Sequence, residues 1–220
     1  MRVCHRISIT VVAVMENLLT ISVFQWVGLI AGGLYIYLAS IQNGTCWIMS
    51  LISTVCIALE DFMHTQLYID GVLQLFYALI ALIGLYYWLS KEEMNATLRV
   101  SRLSPDKHIA YFIFVLIVCA PLGYLIGNTS QAAYPIINGA IAGFAIIATF
   151  LLIYKILDAW YYWMLINLAM IPLYFVVGAP LFSILYFIYF IQAFYGLKNW
   201  NYEYKKKWLK LKPQTTDDIK

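Results

Sequence analysis

The feature that most constrains the fold of this chain is a series of seven apolar segments separated by short polar turns. Each segment approaches the length of about 20 residues that an α-helix needs to cross the hydrocarbon core of a bilayer. Hydrophobic residues make up 63% of the sequence and charged residues only 11%, a balance that excludes an ordinary soluble domain. We therefore predict an all-α integral membrane protein whose seven transmembrane helices cover residues 19–41, 46–62, 69–89, 108–127, 134–156, 160–177 and 180–198.

Two short segments flank these spans. Residues 1–18 contain an apolar run that is too short to cross a bilayer, and we predict that they lie along the membrane interface. Residues 199–220 form a lysine-rich tail, for which we predict contact with anionic lipid and no nucleic-acid partner. With this tail in the cytoplasm, every lysine and arginine except Arg2 and Arg6 falls on the cytoplasmic side. The positive-inside rule then predicts an outside N-terminus and a cytoplasmic C-terminus.

Spans three and seven share a pattern in which a tyrosine is followed by a glycine and then a tryptophan, as Tyr77, Gly84 and Trp88 and as Tyr189, Gly196 and Trp200. Trp47 precedes the first glycine by 37 residues, and Trp163 precedes the second by 33. This spacing predicts that Trp47 is the counterpart of Trp163 and Leu51 that of Asn167. A pair of glycines four residues apart also opens span one (Gly28 and Gly32) and span five (Gly139 and Gly143).

The repeated pattern predicts a duplicated architecture. The predicted parts are a first three-helix repeat at 19–90, a loop and linking helix at 91–133, and a second three-helix repeat at 134–198. Each repeat has an odd number of spans and therefore ends on the opposite side of the membrane from where it begins. A single linking span then gives the second repeat the same orientation as the first, so the repeats are parallel (3+1+3). This arrangement predicts a substrate site between the repeats near the membrane midplane, although other membrane proteins are duplicated too.

Trp163 and Asn167 are the first candidate binding residues. They are four residues apart, so on a helix both side chains lie on one face. An asparagine at membrane depth is unfavourable unless its amide meets a partner, which favours a pocket for a flat ligand that forms hydrogen bonds. The alternative is an interhelical hydrogen bond beside an interfacial tryptophan.

Polar and aromatic residues on three other spans extend this candidate site. Two glutamines on matching helices indicate a cavity, since each is unfavourable in lipid. The alternatives are helix–helix hydrogen bonds for the glutamines and core packing for the tyrosines. For Gly84 and Gly196 close packing is the better interpretation, and Trp88 and Trp200 are interpreted as belt residues at the interface. The added candidates are Trp47 on span two, Gln74 and Tyr77 on span three, and Tyr189 and Gln192 on span seven.

None of the seven predicted spans has a charged residue or a histidine near its middle. Carriers that are coupled to protons usually need such residues within the membrane. The four cysteines have no disulfide or metal-type spacing, so we predict no metal and no cofactor. No acid–base pair or activated nucleophile is evident, so we predict that the protein is not an enzyme. The pattern indicates a passive facilitator for a small polar aromatic molecule, and an aromatic cage also suits a cationic ring.

The motifs that carry a family resemblance are Leu67-Tyr-Ile-Asp70 with Leu73-Gln-Leu-Phe-Tyr77, Gly84-x-x-x-Trp88, Trp160-x-x-Trp163-x-x-x-Asn167, and Tyr195-Gly196-x-x-x-Trp200. Together they resemble the PnuC nicotinamide riboside transporters over residues 20 to 200. The resemblance implies a fold like a full-length version of the SWEET sugar transporters, a homotrimer, and the inner membrane of a bacterium. It also implies uptake of nicotinamide riboside, a vitamin B3 form and NAD precursor, by facilitated diffusion that phosphorylation in the cytoplasm makes one-way.

Carried over by position, Trp163 and Asn167 match the family's binding motif and Gln74 matches its span-three glutamine. Relatives with this architecture carry thiamine or riboflavin, and thiamine is also cationic and aromatic, so the physical argument leaves those substrates open. From a different functional class, a non-transporting membrane scaffold also fits the composition. That alternative predicts no saturable binding of a small molecule.

Overall fold

The computed structural model describes residues 22–65, 68–93, 99–130, 134–176 and 180–211, and within these ranges the chain forms helices and no strand. The interfacial segment predicted at 1–18 lies outside the described residues. The helices are α1 Val23–Ser40, α2 Cys46–Glu60, α3 Tyr68–Glu93, α4 Pro105–Phe114, α5 Ala120–Ser130, α6 Pro135–Ile153, α7 Ala159–Val176 and α8 Pro180–Leu211. A π-helical turn, Asp61–Thr65, continues α2, and a second, Val115–Cys119, joins α4 to α5.

Six helical segments of the described chain are long and apolar enough to cross a membrane, and the longest is the stretch from Pro105 to Gly127, which covers α4 and most of α5. Many of their apolar side chains are exposed, for example Ile117 at 69% and Phe175 at 70%. Exposed apolar helix faces on this scale are what a surrounding bilayer would cover. The seventh predicted span coincides with the start of α8, which continues as helix to Leu211, so residues 199–211 of the predicted tail are helical.

The chain divides into two compact units. The first comprises residues 1–35 and 45–85, and the second comprises 36–44 and 86–220. In the first unit, α1 and α2 approach closely because Gly28 has no side chain. A Cβ atom placed on Gly28 would lie 2.8 Å from Cγ1 of Ile57, and the Ser53 hydroxyl donates a hydrogen bond to the Gly28 carbonyl at 2.7 Å. Gly28, the first glycine of the predicted pair, therefore contributes to a close helix contact.

In the second unit, the other glycine pair packs against the π-helical turn Val115–Cys119. A Cβ atom on Gly139 would lie 2.5 Å from the carbonyl oxygen of Cys119, and one on Gly143 would lie 2.6 Å from its sulfur atom. Gly28 contacts the helix that follows it in sequence, whereas Gly139 and Gly143 contact the helix that precedes them. Gly28 and the second glycine pair thus lie in similar sequence patterns but make different contacts.

Helices α1 and α6 end in the same way. Each is followed by a residue in the left-handed region, Gln42 with φ 60° and Lys155 with φ 51°. The next amide donates back to a carbonyl in the last turn, from Asn43 to Leu38 at 3.0 Å and from Ile156 to Leu151 at 2.8 Å. This is the hydrogen-bond pattern that commonly closes a helix C-terminus. The turns after α1 and α6 therefore have matching geometry at matching positions.

Candidate functional site

Each unit contains a tryptophan ring that packs directly onto a glycine. In the first unit the Trp47 ring occupies the space in which a side chain on Gly84 would lie. In the second unit a Cβ atom on Gly196 would lie 2.6 Å from the ring of Trp160. Any larger residue would have to displace a buried indole, so these contacts confirm the packing role predicted for both glycines.

These contacts correct the predicted pairing of tryptophans. The residue that matches Trp47 is Trp160 rather than Trp163, because Trp160 packs on the second glycine. In the same register Ser50 and Thr54 are the counterparts of Trp163 and Asn167, so the predicted pairing of Asn167 with Leu51 is wrong. The Thr54 hydroxyl donates to carbonyls of its own helix, at 2.9 Å to Ser50 and 3.2 Å to Leu51.

Trp88 and Trp200 also differ from their predicted role as belt residues at the interface. Both are buried, and each indole N–H donates to a carbonyl in the last turn of another helix. Trp88 on α3 donates to Ile153 at the end of α6 at 2.9 Å, and Trp200 on α8 donates to Ala39 at the end of α1 at 3.1 Å. Carbonyls in a last turn lack a partner within their helix, which explains why the indoles bind there.

Asn167 lies near the middle of α7 and is only 4% exposed. Within the described residues, its amide has no hydrogen-bond partner, and Trp163 lies one helical turn earlier and is partly exposed. The amide is therefore available to a molecule that offers complementary donors and acceptors.

Helices α7 and α8 run antiparallel, and their contacts fix which residues share a level in the membrane. Trp160 meets Gly196 near one end, and the Ser183 hydroxyl donates to the Ile171 carbonyl at 2.8 Å near the other. By this register, Asn167 lies at the level of Tyr189, and Trp163 lies within about one turn of Gln192.

Gln192 is the second polar residue on this helix pair. It shares a face of α8 with Gly196, which contacts α7, so Gln192 lies on the side of α8 that faces α7. Its Oε1 atom is buried and has no hydrogen-bond partner among the described residues. Trp160, whose buried indole N–H likewise has no acceptor there, was not among the sequence-based candidates. Four of the predicted binding residues (Trp163, Asn167, Tyr189 and Gln192) are thus brought to neighbouring positions on one helix pair.

The other three predicted residues lie in the first unit. Gln74 and Tyr77 are partly exposed and share one face of α3, as their three-residue spacing predicts. Trp47 is fully buried between Gly84 and the ring of Tyr35, whose centroid is 5.8 Å away. Because the protein itself covers both sides of this ring, its position favours a packing role over the predicted binding role.

Comparison with known proteins provides independent support for a transporter. The profile of the family described as "Nicotinamide mononucleotide transporter" matches residues 22–202, which is most of the chain. A solved structure described as "Crystal structure of the Vitamin B3 transporter PnuC" superposes with a TM-score of 0.67 at 21% sequence identity, covering 88% of this chain and 87% of that one. The helices described above therefore form the fold of that transporter. The chain belongs to the nicotinamide mononucleotide transporter family, the PnuC family, which confirms the resemblance inferred from its sequence.

Proposed function

We propose that this protein imports nicotinamide riboside across the inner membrane of a bacterium by facilitated diffusion. The observation that carries the proposal is the amide of Asn167, a residue that is 4% exposed; the amide has no hydrogen-bond partner among the described residues and lies one turn from Trp163. An indole face and an amide together suit a ligand that has an aromatic cation and a carboxamide. Nicotinamide riboside has both groups, joined to a ribose.

The lack of cationic residues on α7, and on α8 before Lys198, favours the riboside over the mononucleotide named in the family description. The mononucleotide carries an additional phosphate, and proteins bind phosphate with arginine, lysine or helix N-termini. The α7 sequence contains no lysine, arginine or histidine, and α8 contains none before Lys198. A phosphate at the depth of Asn167 would find no cation on either helix, whereas an uncharged ribose needs none.

The same lack of charge supports passive transport, because coupling to protons or ions usually requires titratable or charged groups within the membrane. In the proposed site Trp163 stacks on the pyridinium ring, and Asn167 and Gln192 bind the carboxamide and ribose hydroxyls. Tyr189 lines the site on α8, and Gln74 and Tyr77 remain the predicted contributions of α3. The proposal also keeps the homotrimer that the resemblance implies, and the outside N-terminus that the positive-inside rule predicts.

The repeat architecture belongs to the same proposal: two parallel three-helix repeats joined by a linking helix. Three sets of matching observations support it. They are the left-handed turns after α1 and α6, the tryptophan–glycine contacts on α2 and α7, and the indole hydrogen bonds from α3 and α8. In each set, the members are separated by nearly the same distance in sequence.

The test is calorimetric titration of the purified full chain in detergent, in parallel with nicotinamide riboside, nicotinamide mononucleotide, free nicotinamide, thiamine and riboflavin. We expect saturable binding of the riboside and none of free nicotinamide, because the ribose is recognised. Tighter binding of the mononucleotide would contradict the argument from charge. Preference for thiamine or riboflavin would mean that the protein transports that vitamin instead of nicotinamide riboside. Binding of none of the five compounds would favour the membrane scaffold.

A further inference from the structure

A buried carboxylate lies at the start of α7, away from the proposed binding residues. Asp158 is 6% exposed and precedes the first residue of α7. Its Oδ2 atom accepts a hydrogen bond of 2.7 Å from the backbone N–H of Leu103, in the segment that leads into α4. A carboxylate at a helix N-terminus is also stabilised by the helix dipole. Asp158 therefore connects the segment before the linking helix to the first turn of α7.

Two cationic or titratable side chains from the linking region face this carboxylate. Arg102 approaches Oδ1 of Asp158 at 3.9 Å and donates a hydrogen bond of 3.3 Å to the hydroxyl of Tyr161. His108 lies 3.8 Å from the same oxygen atom. Its other ring nitrogen is 2.9 Å from the hydroxyl of Tyr162, on which the imidazole stacks with an interplanar angle of 12°. Asp158 and two residues of the first turn of α7 are thus bound by residues outside the helix.

Backbone hydrogen bonds join the same two segments. The Ser101 amide donates to the Lys155 carbonyl at 3.1 Å, and the Leu157 amide donates to the Ser101 carbonyl at 2.8 Å, so Ser101 and Ile156 form a parallel bridge. We call residues 101–108 together with residues 155–162 the latch. Because the latch ends at Tyr162, it adjoins Trp163 directly.

The chain contains an internal comparison for this arrangement. Helix α2 begins in the same way as α7, since the Thr45 carbonyl accepts the amides of Ile48 and Met49 as the Asp158 carbonyl accepts those of Tyr161 and Tyr162. The residue at the matching position is therefore Thr45, which is neutral. The turn can form without a carboxylate, so the buried charge of Asp158 is not a requirement of the helix start. The carboxylate of Asp158 therefore serves its contacts with Arg102, Leu103 and His108 rather than the start of α7 itself.

We propose that the latch is the gate at the cytoplasmic end of α7, and that it must open for the transported molecule to leave the site toward the cytoplasm. The inference rests on the proposed transport function and on the predicted orientation. Trp163 and Asn167 lie on the same continuous helix as the latch residues, so displacement of its first turn moves both. The Arg102 side chain is 46% exposed and that of His108 37%, and partly exposed ion pairs are weak enough to break and re-form during each transport cycle.

The direct test is a disulfide across the latch. Residues opposite each other in a parallel bridge have Cα atoms roughly 5 Å apart, which suits a disulfide between Ser101→Cys and Ile156→Cys. Purified double-cysteine protein in liposomes is oxidised, and uptake of nicotinamide riboside is compared before and after reduction. We expect loss of uptake on oxidation and recovery on reduction, while each single-cysteine variant is insensitive. Uptake at the unmodified rate in the cross-linked protein would refute the gate.

A second measurement does not depend on transport. Leu157 is fully buried in the latch, so a cysteine introduced there reacts with a polar maleimide only when the latch opens. Asp158→Asn weakens the hydrogen bond to Leu103, and we expect labelling to accelerate about tenfold, the effect of losing a charged hydrogen bond. The matched control Glu203→Gln removes an exposed carboxylate that pairs with Lys206, and should leave the labelling rate unchanged. Equal labelling rates in both variants would refute the proposal that Asp158 holds the latch closed.

The two measurements separate this inference from the proposed function. If the unmodified protein neither binds nor transports nicotinamide riboside, the proposed function fails, yet labelling at position 157 still reports whether Asp158 controls opening. If the riboside is transported but the cross-link leaves its uptake unchanged, the function stands and the gate is refuted.

Discussion

Replacing Asn167 by leucine distinguishes a binding role of its amide from a structural role, because the two roles predict opposite changes in stability. Leucine has nearly the same shape, so the substitution removes hydrogen-bonding groups and adds little strain. Asn167 as a whole is 4% exposed, and its amide has no hydrogen-bond partner within the described residues, while neither amide atom is fully enclosed. Replacing an amide that forms no hydrogen bond within the protein should therefore raise the free energy of unfolding or leave it unchanged, whereas loss of a structural hydrogen bond would lower it by about 0.5–1.5 kcal/mol.

Ligand binding should become weaker. Two hydrogen bonds to the ligand contribute about 1–3 kcal/mol, so their loss should raise the Kd roughly five- to 150-fold. The assays are calorimetric titration with nicotinamide riboside and thermal unfolding in the same detergent. Asn138→Leu, the same change at an exposed position of α6, is the control for binding and should leave the Kd unchanged. A lower melting temperature for Asn167→Leu, with unchanged affinity, would refute the reasoning, because it would mean that the amide serves the folded protein.

Three further predictions concern packing, helix ends and stacking. Gly196→Ala should lower the free energy of unfolding by about 1–3 kcal/mol, since its Cβ would overlap a buried indole, while Gly33→Ala, with nothing within 4 Å, should not destabilise in the same thermal assay. Trp200→Phe should destabilise by about 0.5–1.5 kcal/mol in denaturant titrations through loss of one hydrogen bond, and an unchanged midpoint would contradict the assigned contact. Trp163→Ala should abolish calorimetric binding of the riboside, whereas exposed Trp26→Ala should retain it; equal losses would remove the stacking role.

The sequence alone is sufficient to predict the helical spans, because each is a run of apolar residues bounded by turns or charges. The sequence is a much weaker guide to the register between the two halves, that is, to which residue of one half matches which residue of the other. The distances of Trp160 and Trp163 from Gly196 differ by less than one helical turn, and only the packed ring identifies Trp160 as the match of Trp47. The distance of 37 residues from Trp47 to Gly84 is nearer to the distance from Trp160, and that comparison was the available signal.

Contacts between segments that are distant in sequence explain the remaining differences between the predictions and the structure. A tryptophan at a span end looks the same in sequence whether it lies in the lipid interface or bonds to another helix, so the buried positions of Trp88 and Trp200 could not be foreseen. Asp158 lies in a short polar turn, where a carboxylate is usually solvated, and its partners are 50 or more residues away in sequence. The candidates on α7 and α8 were predictable for the opposite reason, since a polar side chain within an apolar span is conspicuous.

The exchange of indole hydrogen bonds has a consequence for how such a chain can be divided. Trp88 binds the end of α6, and Trp200 binds the end of α1, so each proposed repeat completes a helix terminus that belongs to the other. A half of this protein made as a separate polypeptide would lack the donor for its own first helix. Two such fragments should therefore be stable only when they are produced together, and a gene split in the loop after α3 should give a working protein only through reassembly of both products.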